Sequence, residues 1–172
     1  MLYYNPNISP KEEFDKRVSE QRRLISTLNE EAFKDNLITT DDNTSPVIHD
    51  DIKLIEGRFN PEEFFEMARG LENVAEGGER CFKCYELRLR EAAINAKACG
   101  CDFFTTTLSI SPLKNADKLN EIGRRLEEEY GVKYLYSDFK KKNGYKTSIE
   151  LSAKYNLYRQ NYCGCVYSKP CE

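Results

Sequence analysis

The sequence lacks several features that would assign it to large functional classes. No run approaches the ~18 consecutive apolar residues that a membrane-spanning helix needs. The first residues carry no charged leader followed by an apolar stretch, which predicts no secretory signal. The dinucleotide pattern G-x-G-x-x-G and the phosphate-loop pattern G-x-x-x-x-G-K-[ST] are both missing. We therefore expect a cytoplasmic protein with no membrane partner and with neither of these nucleotide-binding sites.

The sequence also has little histidine and no net positive charge. The single histidine, His49, lies in a polar segment, so histidine-based catalysis is not expected. The net charge of -3 is not the basic excess that nucleic-acid-binding domains usually carry. A local basic patch could still bind nucleic acid, because Lys140, Lys141, Lys142 and Lys146 form a dense basic run. A solvated turn is the simpler interpretation of that run.

The chain is long and apolar enough for one domain, with 172 residues of which 40% are hydrophobic. Helical periodicity begins near residues 10, 60, 80, 115 and 147, and short β-forming runs cover residues 2–4, 52–55, 103–108 and 134–136. This alternation predicts a single three-layer α/β domain over residues 1–172, Rossmann-like, with a mainly parallel sheet flanked by helices. Residues 35–50 are predicted to be a polar surface loop or insertion.

The chemistry-bearing residues are cysteines, of which there are seven. In a cytosolic chain, clustered cysteines indicate metal binding or redox chemistry more often than a disulfide framework. Cys81 and Cys84 form a C-x-x-C near the start of a predicted helix, on one helix face. The helix N-terminus, Arg80 and Lys83 are all expected to favour the thiolate form of this pair.

A second pair, Cys163 and Cys165, is separated by a single glycine. Such a pair can close a small strained ring, which suits an exchanging redox dithiol. Alternatively, all four paired cysteines could bind one metal group, either an iron–sulfur cluster or a zinc ion that stabilises a binding module without catalytic activity. Cys99 and Cys101 are interpreted as buried or half-buried without a role, and Cys171 as a bystander.

Polar side chains adjoin both pairs and could form a pocket for a polar substrate that stacks on aromatic rings. Arginine and tyrosine commonly support an unstacked RNA base in this way. Strand propensity for the threonines and packing at the domain edge for the tyrosines are the alternatives. The candidate substrate-binding residues are Arg80, Tyr85, Thr106, Thr107, Ser109, Ser111, Tyr158, Arg159, Gln160 and Tyr162.

Four segments in order, together spanning the first residues to about Ser168, resemble the QueH-type epoxyqueuosine reductases. They are Tyr3-Tyr4-Asn5-Pro6-Asn7-Ile8, Glu79-Arg80-Cys81-Phe82-Lys83-Cys84-Tyr85-Glu86-Leu87-Arg88-Leu89, Phe104-Thr105-Thr106-Thr107-Leu108-Ser109-Ile110-Ser111-Pro112 and Tyr158-Arg159-Gln160-Asn161-Tyr162-Cys163-Gly164-Cys165.

The resemblance implies an oxidoreductase that reduces epoxyqueuosine to queuosine in the wobble position of tRNA, the last step of that modification. It implies a 4Fe-4S cluster with Cys81 and Cys84 among its ligands and leaves room for an additional iron. It implies a redox-active disulfide between Cys163 and Cys165. The partners would be tRNA carrying epoxyqueuosine and an electron donor.

The chain departs from the family pattern at its start. Members normally begin with a strand that ends in adjacent cysteines and supplies the remaining cluster ligands. This chain begins within the following strand, at Met1-Leu2-Tyr3-Tyr4. It is therefore expected to be truncated, which could leave it inactive.

A chain with only half of the cluster ligands should bind iron poorly. Anaerobic reconstitution with iron and sulfide, followed by iron analysis and absorption spectroscopy, measures this. Four irons per chain with broad charge-transfer absorption would contradict the expectation.

Overall fold

The computed structural model of the protein describes residues 1–38 and 51–169. Four short strands alternate with five helices in this part of the chain, as the sequence predicts. In chain order they are β1 (Leu2–Tyr3), α1 (Lys11–Ile38), β2 (Ile55–Glu56), α2 (Pro61–Ala68), α3 (Glu79–Ala98), β3 (Phe103–Phe104), α4 (Ala116–Tyr130), β4 (Lys133–Tyr134) and α5 (Gly144–Lys154).

The strands pair in parallel, which confirms the α/β class. Strand β1 pairs with β2, with Tyr3 opposite Glu56. Strand β3 pairs with β4, with Phe104 opposite Tyr134. The parallel strands are thus distributed between two two-stranded sheets, and helices pack around them.

The larger core lies between helices α3 and α4 and the β3–β4 pair. Leu89, Leu119 and Leu126 are almost completely buried there. The ring of Tyr134 crosses Gly123 of α4, where an added Cβ would lie 2.4 Å from the ring. This close approach explains a glycine inside a helix, a position that normally costs about 1 kcal/mol relative to alanine.

A second core joins β1, the turn after it and helix α1. Tyr3 packs edge-to-face on Phe14 with ring centroids 5.7 Å apart, and Ile8 is buried beside them. The chain segment after α5 also docks on α1, because Arg23 donates to the carbonyl oxygen of Tyr155 at 3.1 Å. Helix α1 therefore connects the two ends of the described chain.

Helix α1 is longer than its apolar periodicity predicts. The pattern places its end near Asn29, whereas the helix continues to Ile38. The hydroxyl of Tyr155 donates to Glu31 at 2.7 Å, so a tertiary contact supports the turns beyond the apolar stripe. The remainder of the predicted loop, residues 39–50, lies outside the described residues, as does His49.

Two further local predictions need correction. The predicted strand over residues 103–108 ends at Phe104, and Thr107–Ile110 is a 3-10 turn. The Thr106 hydroxyl accepts a hydrogen bond from the Leu108 N–H at 3.2 Å, which diverts the backbone from strand pairing. On α2, the apolar spacing predicts that Phe64, Phe65 and Ala68 face inward; Phe64 and Ala68 are buried, but Phe65 is 39% exposed.

The lysine run precedes and enters α5. Lys140 and Lys141 both pair with Asp138, at 2.9 and 3.3 Å. Lys141 and Lys142 are exposed, which agrees with a solvated turn. Within the described residues, no helix is long and apolar enough to cross a membrane.

We predict that Gly123→Ala destabilises the protein even though alanine is the better helix former. The propensity gain is about 1 kcal/mol, whereas overpacking a full core costs about 1–3 kcal/mol. Urea unfolding measures the difference. Arg124→Ala, at the exposed neighbouring position of α4, is the control and should be near neutral. A Gly123→Ala protein as stable as the parent would show that Tyr134 can move aside.

Candidate active site

The two cysteine pairs lie 79 or more residues apart in the chain yet line one pocket. Cys81 and Cys84 come from the first turns of α3, and Cys163 and Cys165 from the segment after α5. The rest of the lining is Asn7, Phe64, Arg80, Tyr85, Arg88, Leu108 and Lys114. The structure thus brings both cysteine pairs to the lining of one pocket.

The cysteines of α3 have different environments. Cys81 is half-buried, and its sulfur accepts a hydrogen bond from the Gly77 N–H at 3.3 Å. Cys84 is buried against Phe64 and Cys165. Burial raises the pKa of the Cys84 thiol to about 11. At Cys84 the expectation of a thiolate is thus wrong in this structure, because desolvation outweighs the nearby positive charges.

The Cys163–Cys165 loop is held against the turn that follows β1. Gly164 has φ +95°, and a Cβ on it would lie 2.6 Å from Ile8. The Ser9 N–H donates to the Gly164 carbonyl oxygen at 3.2 Å, and the Asn7 side-chain amide donates to the Cys163 carbonyl oxygen at 3.0 Å. Only glycine combines this backbone conformation with so close an approach.

The two cysteines of this loop ionise unequally. The Cys165 thiol donates a hydrogen bond to the Cys163 sulfur and so lowers the pKa of Cys163 well below its usual range. The Ser168 hydroxyl, 2.9 Å from the same sulfur, acts in the same direction. The bond to Cys163 together with burial raises the pKa of Cys165. The pair is therefore arranged as a thiolate beside a thiol, the reactive form of an exchanging dithiol.

Three cations line the pocket, and two of them are engaged by the protein itself. Arg80 is 2% exposed and donates to three carbonyl oxygens of the preceding loop, those of residues 71, 72 and 74. Lys114 forms an ion pair with Glu76 at 2.8 Å. Burial lowers the pKa of Lys114, but the bond to Glu76 and the charge of Cys163 outweigh this and raise it overall. Lys114 is therefore a stable positive charge.

Among the predicted substrate-binding residues, Arg80 and Tyr85 line the pocket. The other candidates from the middle of the chain have local partners or lie outside the lining. Ser109 is buried 3.2 Å from Ser137, and the Ser111 hydroxyl accepts from the Leu113 N–H at 3.3 Å. Thr106 caps the 3-10 turn that begins at Thr107.

The candidates near the second cysteine pair face helix α1. Lys16 lies 3.5 Å from the ring centroid of Tyr158, and Arg17 lies 5.3 Å from that of Tyr162. Arg159 and Gln160 are exposed. These four residues stay candidates for a substrate that extends beyond the pocket.

The sequence analysis missed three polar lining residues, Asn7, Arg88 and Lys114, and two apolar ones, Phe64 and Leu108. Arg88 follows Cys84 by one helical turn, so helical spacing alone could have indicated it. Asn7 stands in the first segment of the family resemblance, but nothing in that segment indicated that its side chain lines the pocket. Lys114 carried no signal. Both residues reach the pocket through loops whose course depends on tertiary packing.

The described residues contain no group of three or more histidine, cysteine, aspartate or glutamate side chains placed to hold a metal ion. Cys81 and Cys84 are thus at most part of a ligand set within this part of the chain, and the four-thiolate zinc alternative has no support there. Cys99 and Cys101 are exposed and not buried as expected, since they follow the end of α3 on the surface. Cys171 lies outside the described residues.

Comparison with known proteins identifies the family of this chain. The family model for epoxyqueuosine reductase QueH matches residues 1–170. The chain belongs to the QueH family. It is 38% identical over 168 residues to the epoxyqueuosine reductase QueH of Streptococcus pyogenes serotype M1, covering 98% of this chain and 60% of the relative.

Two further relatives support the QueH assignment. The QueH of Staphylococcus epidermidis is 39% identical over 170 residues, covering 98% of this chain and 65% of the relative. The QueH of Thermotoga maritima is 31% identical over 170 residues, covering 97% of this chain and 77% of the relative. The chain therefore spans 60 to 65% of the length of the first two relatives.

We predict that Cys163 reacts with iodoacetamide at pH values where an ordinary thiol, with a pKa of about 8.5, is mostly protonated. A lowered pKa means that the thiolate persists as the pH falls, so the alkylation rate of Cys163 should stay high down to about pH 6, whereas that of free cysteine drops roughly tenfold per pH unit. Mass spectrometry of the modified peptides measures the rate. Parallel pH profiles for Cys163 and free cysteine would contradict the hydrogen-bonded pair.

Proposed function

We propose that this chain carries the dithiol site of an enzyme that reduces epoxyqueuosine to queuosine at the wobble position of tRNA. Its family supports this, since its relatives bear the name epoxyqueuosine reductase. The observation that carries the proposal is the pairing of a thiolate-forming Cys163 with the Cys165 thiol in a pocket that also holds Cys81 and Cys84. An enzyme with this substrate is expected in the cytoplasm.

The chemistry balances with a dithiol as reductant. Removing the epoxide oxygen as water and leaving a carbon–carbon double bond needs two electrons and two protons. The Cys163 thiolate and the Cys165 thiol supply the two electrons and one proton when they form a disulfide, and solvent supplies the second proton. One epoxide, one thiolate, one thiol and one solvent proton thus give one alkene, one disulfide and one water.

The two residues would divide this work. The Cys163 thiolate is the nucleophile, because its lowered pKa keeps it ionised at neutral pH. Cys165 retains its proton, because its pKa is raised, and it can deliver that proton to the departing oxygen. The loop contacts of Gly164 and Asn7 would keep both sulfurs at the pocket.

Reduction of the Cys163–Cys165 disulfide back to the dithiol requires an electron source for the next turnover. A 4Fe-4S cluster has four cysteine ligands, and we propose Cys81 and Cys84 as two of them. They fit half of such a site by donor type and by their shared helix face; the other ligands would come from outside the described residues. When bound, the cluster would relay electrons from a donor. An additional iron stays a prediction.

The test is conversion of tRNA that contains epoxyqueuosine. The chain, kept reduced anaerobically with excess dithiothreitol so that turnover does not depend on the cluster, should convert the substrate, as measured by nucleoside mass spectrometry. Cys163→Ser and Cys165→Ser should lose activity by about a hundredfold or more, as expected when a catalytic nucleophile or acid is removed. Cys99→Ser, an exposed thiol outside the pocket, is the matched control and should be unaffected.

A single-turnover measurement sharpens the test. Prereduced protein without external reductant should form up to one queuosine per dithiol, with the appearance of a Cys163–Cys165 disulfide. No conversion by the chain with its dithiol reduced, or full activity of Cys163→Ser, would contradict the proposal.

A further inference from the structure

The pocket contains polar groups that the protein leaves without partners. The side-chain oxygen of Asn7 and the hydroxyl of Tyr85 are buried and accept or donate no hydrogen bond within the described residues. Asn7 is only 2% exposed. An unsatisfied buried polar group costs about 1–3 kcal/mol. Both groups line the same pocket, which indicates that a polar ligand forms hydrogen bonds with them there.

Arg88 is a charged residue of the same pocket that also lacks a hydrogen-bond partner among the described residues. It is half-buried, and within the described residues its guanidinium has no hydrogen bond or ion pair. The nearest acidic residue along the same helix face, Glu91, is hydrogen-bonded to Asn95 instead. The other arginines of the described chain that lack such a partner (residues 69, 124 and 159) are all exposed. Arg88 is thus an uncommitted charge at the cysteine pocket.

The lining of the pocket as a whole is electropositive. It contains Arg80, Arg88 and Lys114, and no acidic side chain among the described residues. The sequence as a whole has a net charge of -3, so this concentration of positive charge is local. The charge of Arg80 is directed to backbone carbonyl oxygens, and that of Lys114 to Glu76. Arg80 keeps one buried nitrogen, Nε, without a partner, but Arg88 is the one cation of the lining whose whole guanidinium has no hydrogen bond or ion pair within the described residues.

We propose that Arg88 binds a backbone phosphate of the tRNA, next to the nucleotide whose base enters the pocket. Guanidinium groups bind phosphate with two parallel hydrogen bonds, which fixes the position of the ligand as well as its charge. The contact would set the depth at which the modified base meets Cys163. The inference rests on the proposed function, because the phosphate belongs to the substrate.

The test is binding of an anticodon stem–loop RNA without epoxyqueuosine, so that the readout does not depend on the reductase reaction. Arg88→Gln should weaken binding about tenfold, as measured by fluorescence anisotropy. It should also reduce the slope of log K against log salt by about 0.7, the value for one single-strand phosphate. Arg88→Lys keeps the charge and should retain most of the slope. Arg124→Gln, at an exposed arginine on α4, is the matched control.

Removing the charge of one RNA phosphate tests which phosphate Arg88 contacts. Replacing one phosphate beside the wobble nucleotide with a neutral methylphosphonate should weaken binding by the parent protein but not by Arg88→Gln. Inorganic phosphate should compete no better than chloride at equal ionic strength. Stronger competition would assign Arg88 to free phosphate and overturn the proposal. Thermal unfolding confirms that each variant is folded.

Two further results would overturn the proposed phosphate contact. One is equal RNA affinity of the Arg88→Gln and Arg124→Gln proteins. The other is an equal loss of affinity for the methylphosphonate RNA in the parent protein and in Arg88→Gln. These outcomes are separable from failure of the proposed function. If conversion of epoxyqueuosine fails while the Arg88 effect persists, the reaction is wrong and the phosphate contact stands. If conversion proceeds while the Arg88 effect is missing, only the phosphate contact is wrong.

Discussion

The site depends on the close approach of Gly164 to Ile8. This contact brings the segment after the last helix against the turn after the first strand, and the Ser9 and Asn7 hydrogen bonds secure it. Arg17 adds a bond to the Tyr162 carbonyl oxygen at 3.3 Å from helix α1. Without this docking, Cys163 and Cys165 would not reach Cys81 and Cys84, because the two pairs belong to distant parts of the chain.

Local environment then decides how the four thiols differ. Burial keeps the proton on Cys84, whereas hydrogen bonds remove it from Cys163 although that residue is also largely buried. Burial destabilises a charge anywhere in the pocket, whereas a donated hydrogen bond stabilises a negative charge on the one atom that accepts it. Similar residues in one pocket are thereby given different chemistry. Arg88 adds a free positive charge beside them, where an anionic substrate can pair with it.

Part of this arrangement was predictable from the sequence. Helices α3 and α4 and their ends follow from apolar periodicity and from Gly131, which adopts the left-handed conformation expected at a helix end. The end of α1 and the short strand β3 were not predictable, because contacts from Tyr155 and a hydrogen bond within the Thr106 turn override the local pattern. Several predicted polar site residues, among them Arg80, Ser109 and Ser111, have hydrogen-bond partners within the protein, which residue type alone does not reveal.

The sequence by itself determined the α/β class, the two cysteine pairs and the resemblance to the QueH family, because periodicity, spacing and motif order are properties of a linear chain. Only the tertiary structure decided that the pairs share a pocket, which thiol ionises, and that Asn7, Arg88 and Lys114 belong to the lining. The physical reason is that pKa values and unpaired polar groups depend on neighbours from remote segments. Burial and hydrogen bonding between such segments exist only after the chain has folded.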